Sequence, residues 1–295
     1  QGIERSEAAA LNIRLKQSAK RRPIGYGALG AGISYEPLYR GDLFGLMVGE
    51  RSQHLLTLKG NNRGDSYRYE TSSHISSVSA PAAPGRDLIA GDPMGDPSIS
   101  GKRYMRNHSA ILSYNGIARI RPGVTLGVRG MADLHRIRYE QGYRSLFTTP
   151  EGMVTLRAGE QASRRADHGS IELHYEDNQS DHYLGNTLVA DFDRTRSLFL
   201  IEGDNPVRQE IRDYAGTISN GLTYTRRTEE RITSLSSILS YGATPDLILS
   251  ADTQGHPQLI AARHFYTREE GSREWQVSSH SFVGAGARFT ARIMR

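Results

Sequence analysis

The chain has 295 residues, with 37 Lys+Arg against 32 Asp+Glu for a formal charge of +5, and only 37% of its residues are hydrophobic. It has no cysteine, which excludes a disulfide frame, a thiolate metal site and a cysteine nucleophile. Bases and acids are interspersed rather than gathered in one stripe, which argues against nucleic acid as a partner. No run approaches the ~18 consecutive apolar residues of a transmembrane helix.

Gln1 opens without a charged-then-apolar stretch, so a signal peptide is expected to be already removed or to lie outside this chain. Ser6–Leu11 is the one segment of helical composition, and it runs into the alternating Leu11, Ile13 and Leu15. From there the period is two. Ile24–Tyr35 and Leu38–Glu50 predict a glycine-rich strand pair around Glu36-Pro37, and His54–Lys59 a third strand.

Asn61–Arg106 follows as a long connection that holds Pro81, Pro84, Pro93 and Pro97. In Ala110–Ile120 one parity reads Ala110, Leu112, Tyr114, Gly116, Ala118, Ile120, and the other reads Ile111, Ser113, Asn115, Ile117, Arg119. Arg121-Pro-Gly123 predicts a turn. Val124, Leu126, Val128, Gly130, Ala132 and Leu134 then alternate with Arg129, Asp133 and His135.

The same grammar recurs in Ile171, Leu173 and Tyr175 against Glu172, His174 and Glu176. It recurs in Leu184, Leu188, Ala190 and Phe192, in Leu235, Leu239 and Tyr241, and in Val283–Ala291. Short polar turns are expected at Glu50–Gln53, Asp177–Asp181 and Arg226–Arg231, and irregular stretches at Gly142–Glu151 and Pro245–Gln258.

About ten strands result, and the fold class is all-β and antiparallel. Alternation does not say which parity faces outward. Long strand candidates, Gly, Ala and Tyr on the apolar parity, and charges on the other favour a transmembrane β-barrel with an apolar lipid face and a wet lumen.

Specific runs add a resemblance. Glu7-Ala-Ala-Ala-Leu-Asn-Ile-Arg-Leu-Lys16, followed by Ala19-Lys-Arg-Arg-Pro-Ile-Gly25, resembles the junction between plug and barrel in TonB-dependent outer-membrane receptors. The nearest branch is the Bacteroidota one, whose members often carry a carboxypeptidase-like regulatory domain ahead of the plug. Leu56-Thr-Leu-Lys-Gly-Asn-Asn-Arg-Gly-Asp65 is similar to that family's third strand entering its first large loop. Asn107-His-Ser109, Asn186-Thr-Leu188 and Asn205–Gln209 fall at family-like positions.

The resemblance implies that residues 1–22 end a plug and that 23–295 form the N-terminal part of a barrel of the 22-stranded type. Members are about twice this length. The chain stops at Phe289-Thr-Ala-Arg-Ile-Met-Arg295 without a terminal aromatic, so a fragment is expected. The implied function is energy-coupled uptake of a scarce nutrient across the outer membrane of a Gram-negative bacterium. Its partners would be an inner-membrane energy-coupling complex acting through the missing plug, and a surface lipoprotein. Long loops would help capture ligand, which makes Asn61, Asn62, Asp65, Asp92 and Asp96 candidate contacts. No catalytic, cofactor or metal residue is assigned, and no covalent chemistry is expected.

Other motifs are weaker than their structural explanations. Gly25-Tyr-Gly27-Ala-Leu-Gly30 fits a dinucleotide fingerprint but lacks the strand before it and the helix after it. His168, His174 and His182 have no tight metal spacing. Asp92/Asp96 and Asp191/Asp193 carry oxygen ligands for calcium without an EF-hand pattern. Ser109, Ser113 and Ser170 are serines without a G-x-S-x-G elbow. A passive small pore, an outer-membrane hydrolase and a soluble β-rich surface protein are the alternatives.

Overall fold

The computed structural model describes residues 22–34, 36–65, 67, 78, 80–85, 101–150, 152–202, 206–251, 257–278 and 281–295. The expected plug end, Arg22 apart, lies outside the described residues, as do Ser6–Leu11, Asp92, Asp96 and Asn205.

The strands are β1 (Pro23–Ile33), β2 (Pro37–Val48), β3 (Ser52–Asn61), β4 (Arg106–Arg121) and β5 (Val124–Thr149). They continue as β6 (Gly152–Asn178), β7 (His182–Glu202), β8 (Val207–Arg227), β9 (Arg231–Ala251), β10 (Gln258–Ser278) and β11 (Ser281–Met294). All eleven form one antiparallel sheet in which each strand pairs with its neighbours in sequence. β1 and β11 are its two edges. β6 alone is 27 residues long, far beyond the ~5–6 of an ordinary strand.

Tight turns close one end of the sheet. At Pro122-Gly123 proline presets its own φ, and Gly123, at φ 78°, supplies the left-handed value the second position needs. The expected turns at Glu50–Gln53, Asp177–Asp181 and Arg226–Arg231 fall at the same end.

Two expectations are corrected. Gly142–Thr149 continues β5, and its ladder with β6 runs unbroken from Gly142↔Gly159 to Thr149↔Gly152. Pro245–Ala251 continues β9. Pro245 donates no ladder hydrogen bond, and the register shifts beside it on both sides, between Tyr214 and Gly216 and between Ile260 and Ala262. In each case a long neighbouring strand supplies pairing that local composition does not announce.

Register assigns the two faces. Asn61, Ser109 and His135 are directly opposed across β3, β4 and β5, and Asp133, His168 and Asp193 across β5, β6 and β7. All lie on one face. The described part of the β3–β4 connection crosses that face: the Thr244 hydroxyl donates to the Pro84 carbonyl at 2.7 Å, and Val78 lies over Gly221. This is the covered face. A small apolar cluster of Ala162, Phe199, Ile211 and Leu247 sits on it, toward the end opposite the tight turns.

The polarity of the faces is inverted relative to a sheet in water. The covered face buries Asn107 and His264 to 1% exposure, Ser109 and Ser240 to 2% and Thr187 to 5%. On the opposite, open face Leu126, Leu134, Ile171, Leu173, Phe192, Ile218 and Leu239 stand exposed. A one-sided antiparallel sheet in water does the reverse.

Candidate functional site

The neck of the β3–β4 connection is a densely bonded polar site at the end of the covered face. It begins where β3 ends. Gly64, at φ 84°, turns the chain so that its N–H donates to Asn107 Oδ1 at 2.6 Å. Asn107 Nδ2 donates to the Asp65 carbonyl at 3.0 Å and to Ser109 Oγ at 2.8 Å. Ser109 Oγ lies 2.5 Å from His135 Nδ1. Asn61 Nδ2 donates to the same Asp65 carbonyl at 3.0 Å, and its Oδ1 accepts from the Arg63 N–H at 3.1 Å.

Asn62 works one strand away. Its Oδ1 accepts from the Tyr39 N–H at 2.6 Å, and its Nδ2 donates to the Pro37 carbonyl at 2.8 Å. Asp65 then closes the loop. Arg63 Nε donates to it at 2.6 Å, and Lys102, at the far end of the connection, reaches its Oδ1 at 3.2 Å. Three of the expected ligand residues, Asn61, Asn62 and Asp65, are thus brought together. Asn61 (0% exposed) and Asn62 (4%) spend their amides on the fold. Asp65 keeps a quarter of its side chain open. Asp92 and Asp96 lie outside the described residues.

Beside the neck is a cavity of about 390 Å³ bordered by Arg63, Lys102, Arg103, Arg138 and Glu140. A second cavity, of about 270 Å³, lies between Val78 with Ala80–Ala83 and the covered face, where His168, Asp191 and Asp193 line it. His168 Nδ1 bonds Asp193 Oδ1 at 2.9 Å.

Burial alone would raise the pKa of Asp65, but hydrogen bonds from Arg63 and Lys102 outweigh it and hold the carboxyl below its ordinary value. A depressed carboxylate stabilises the fold above its unfolded pKa, and that share is lost as pH falls through the depressed folded value. Protease resistance of the 62–105 connection is therefore expected to hold down to the ordinary aspartate range and to weaken below it. In Asp65→Asn that acid-dependent loss should disappear. Limited proteolysis across an acid series checks this; an identical pH profile in the variant refutes it.

The weaker motifs have plain structural roles. The Gly25–Gly30 run lies wholly inside β1, and β2 rather than a helix follows. His168, His174 and His182 are dispersed: His174 Nδ1 bonds the Thr187 hydroxyl at 2.9 Å, and His182 pairs with Asp181 at 2.9 Å. Among the described residues no group of three or more His, Cys, Asp or Glu converges on one point.

The Ser109–His135 contact is a pair that sequence alone did not single out. A nucleophile must reach a substrate carbon, whereas Ser109 is buried with its oxygen held between Asn107 and His135. Its geometry is that of a structural link.

No protein-family model matches the chain, and no curated protein matches its sequence. What is established is the class: among the described residues the chain is all-β, with one large antiparallel sheet of eleven long strands.

Proposed function

We propose that the chain is part of the wall of a transmembrane β-barrel in the outer membrane of a Gram-negative bacterium. The barrel is of the TonB-dependent receptor type and takes up a scarce nutrient. In this proposal residues 1–22 end the plug and 23–295 are the N-terminal part of a larger barrel. Energy comes from an inner-membrane complex acting through the plug. The β3–β4 connection and the polar covered face line the ligand's route, and a surface lipoprotein is a candidate lid.

The observation that carries the proposal is the inverted polarity. Lipid demands an apolar surface on which every polar group is satisfied within the protein. The open face fits that demand. Within the belt, polar side chains that interrupt it bond to one another: His54 Nδ1 to the Tyr114 hydroxyl at 2.8 Å, and Asn186 to Asn220 through both amides at 3.1–3.2 Å. Glu269 accepts from Ser237 at 2.9 Å and from Thr267 at 2.8 Å.

From Leu126 to Leu134 the apolar parity of β5 spans nine residues, within the ~9–11 a transmembrane strand needs. Tyr175, Tyr224 and Trp275 stand near the tight-turn ends of β6, β8 and β10, where an interfacial aromatic girdle belongs. The covered face, with Arg129 bonded to Glu172 at 3.1 Å, suits a wet lumen. The sheet edges also fit. Lipid tolerates no unpaired edge, so β1 and β11 must pair with each other or with further strands.

Blotting the native protein from outer-membrane fractions, with and without boiling, tests the proposal. A heat-modifiable band two to three times the mass of this chain is expected. A heat-modifiable band at this chain's own mass replaces the receptor with a small closed barrel. A band only in the soluble fraction refutes the membrane assignment.

A further inference from the structure

The open face is not apolar along its whole height. Ala132, Gly169, Phe192 and Gly216 are paired across β5 to β8 and belong to the apolar belt. One rung toward the β3–β4 connection, Leu134, Asp167, Arg194 and Tyr214 are paired. The next rung is almost wholly basic. His108, Arg136, Arg165, Arg196 and Arg212 lie directly opposite one another across five consecutive strands.

Like charges placed directly opposite across a ladder destabilise it. Internal carboxylates offset part of this. Asp167 bonds Arg165 at 2.9 Å, and Glu210 is shared between Arg196 at 2.9 Å and Arg212 at 2.8 Å. Arg136 and Arg208 make no ion pair among the described residues. His108, Arg136, Arg165, Arg196 and Arg208, with Arg106 and Arg138, border a depression of about 510 Å³ whose lining carboxylates are Glu36 and Glu210. The site is therefore short of anions.

Position identifies the occupant. The row lies two rungs, four residues or ~13 Å along the strand, beyond Phe192. It is on the same face as the belt and away from the tight turns. Arg194 stacks over the Tyr214 ring at 5.4 Å in the rung between, an amphipathic pair suited to an interface. Guanidinium groups match phosphate oxygens in a bidentate fork. Longer loops of such barrels face outward, which sets the row at the headgroups of the outer leaflet.

We propose that the His108–Arg212 row binds a phosphate-bearing lipid headgroup of the outer leaflet, with the acyl chains lying along the apolar belt beneath it. This rests on the membrane assignment above.

The test uses the native protein extracted from membranes in a mild zwitterionic detergent, with retention of added phosphatidic acid, phosphatidylcholine or inorganic phosphate read by native mass spectrometry. Phosphatidic acid is expected to be retained selectively. The triple variant Arg136→Gln/Arg165→Gln/Arg196→Gln should lower its retention roughly a hundredfold, at about fivefold per arginine. The corresponding triple lysine variant should fall between the two.

Unchanged retention in the glutamine variant overturns the proposal. So does equal retention of phosphatidylcholine, and so does inorganic phosphate binding as tightly as the lipid. A heat-modifiable band in the glutamine variant shows that it still folds. Should the native protein prove soluble, the membrane assignment fails and this site with it. Should it sit in the membrane with lipid retention unaltered, this site alone fails.

Discussion

Replacing Ile171 by arginine is expected to destabilise the membrane-inserted protein by about 2–4 kcal/mol, the cost of a cation at the bilayer midplane on a barrel's lipid face. Ile171 is 49% exposed, with Gly130 and Ala190 opposite it on the neighbouring strands and Ile218 beyond. It thus sits at the centre of the belt, level with the midpoint of Leu126–Leu134. The neighbouring Ser170→Arg places the same charge on the covered face, opposite Asp191, and should cost much less.

The contrast separates two environments that a stability measurement on one variant would not. With water on the open face, Ile171→Arg is an exposed surface substitution and changes stability by no more than about 0.5 kcal/mol. Denaturant unfolding in lipid vesicles gives the numbers. Trp275 is the chain's single tryptophan and lies at the end of the belt, so its fluorescence follows loss of the lipid-facing surface.

The second large effect is expected at Asn107. Truncation to alanine removes the acceptor of the Gly64 N–H and the donor to the Asp65 carbonyl and Ser109. Asn107 is 1% exposed, so water does not readily replace these bonds. A buried polar group left unpaired costs about 1–3 kcal/mol. The Asp65 carbonyl keeps the Asn61 amide and Ser109 keeps His135, so the Gly64 N–H is the group left unpaired, and the neck should open about 1–3 kcal/mol more easily, a rise in open population of roughly 5-fold to 150-fold.

Limited proteolysis of the 62–105 connection reads this opening. Asn107→Asp keeps the shape and an acceptor but loses both donor hydrogens. It should therefore also loosen the neck, which separates hydrogen bonding from packing. Wild-type cleavage rates in both variants would remove the neck from the account of what holds the connection in place.

Much of the fold was written in local periodicity. Apolar residues at every second position marked Ala110–Ile120, Val124–Leu134 and Ile171–Tyr175 as strands because side chains alternate faces along a strand. Pro122-Gly123 and Asp177–Asp181 marked turns because their residues meet turn geometry locally. Strand ends were less legible. Gly142–Thr149 and Pro245–Ala251 have the composition of loops, yet they are strands because β6, β8 and β10 run alongside them.

The site was legible only in pieces. Asn61, Asn62 and Asp65 stood out as polar residues opening a long loop, but nothing local shows that Asn107, 46 residues on, bonds Asn61. His135 was visible as a polar alternate, though not as the partner of Ser109. The arginines carried a faint signal, Arg136-Ile-Arg138 and Arg194-Thr-Arg196 on parities that are apolar elsewhere. Their meeting in one row depends on four successive registers.

The class of element, the turns and the polarity of each parity are readable along the chain, because they follow from residues a few positions apart. Only the folded sheet shows which residues of different strands stand opposite one another, which face the described part of the β3–β4 connection covers, and hence where the neck and the arginine row assemble. The reason is that alternation has a period of two and is blind to register: sliding a strand by two residues keeps every side chain on its face but changes all of its neighbours.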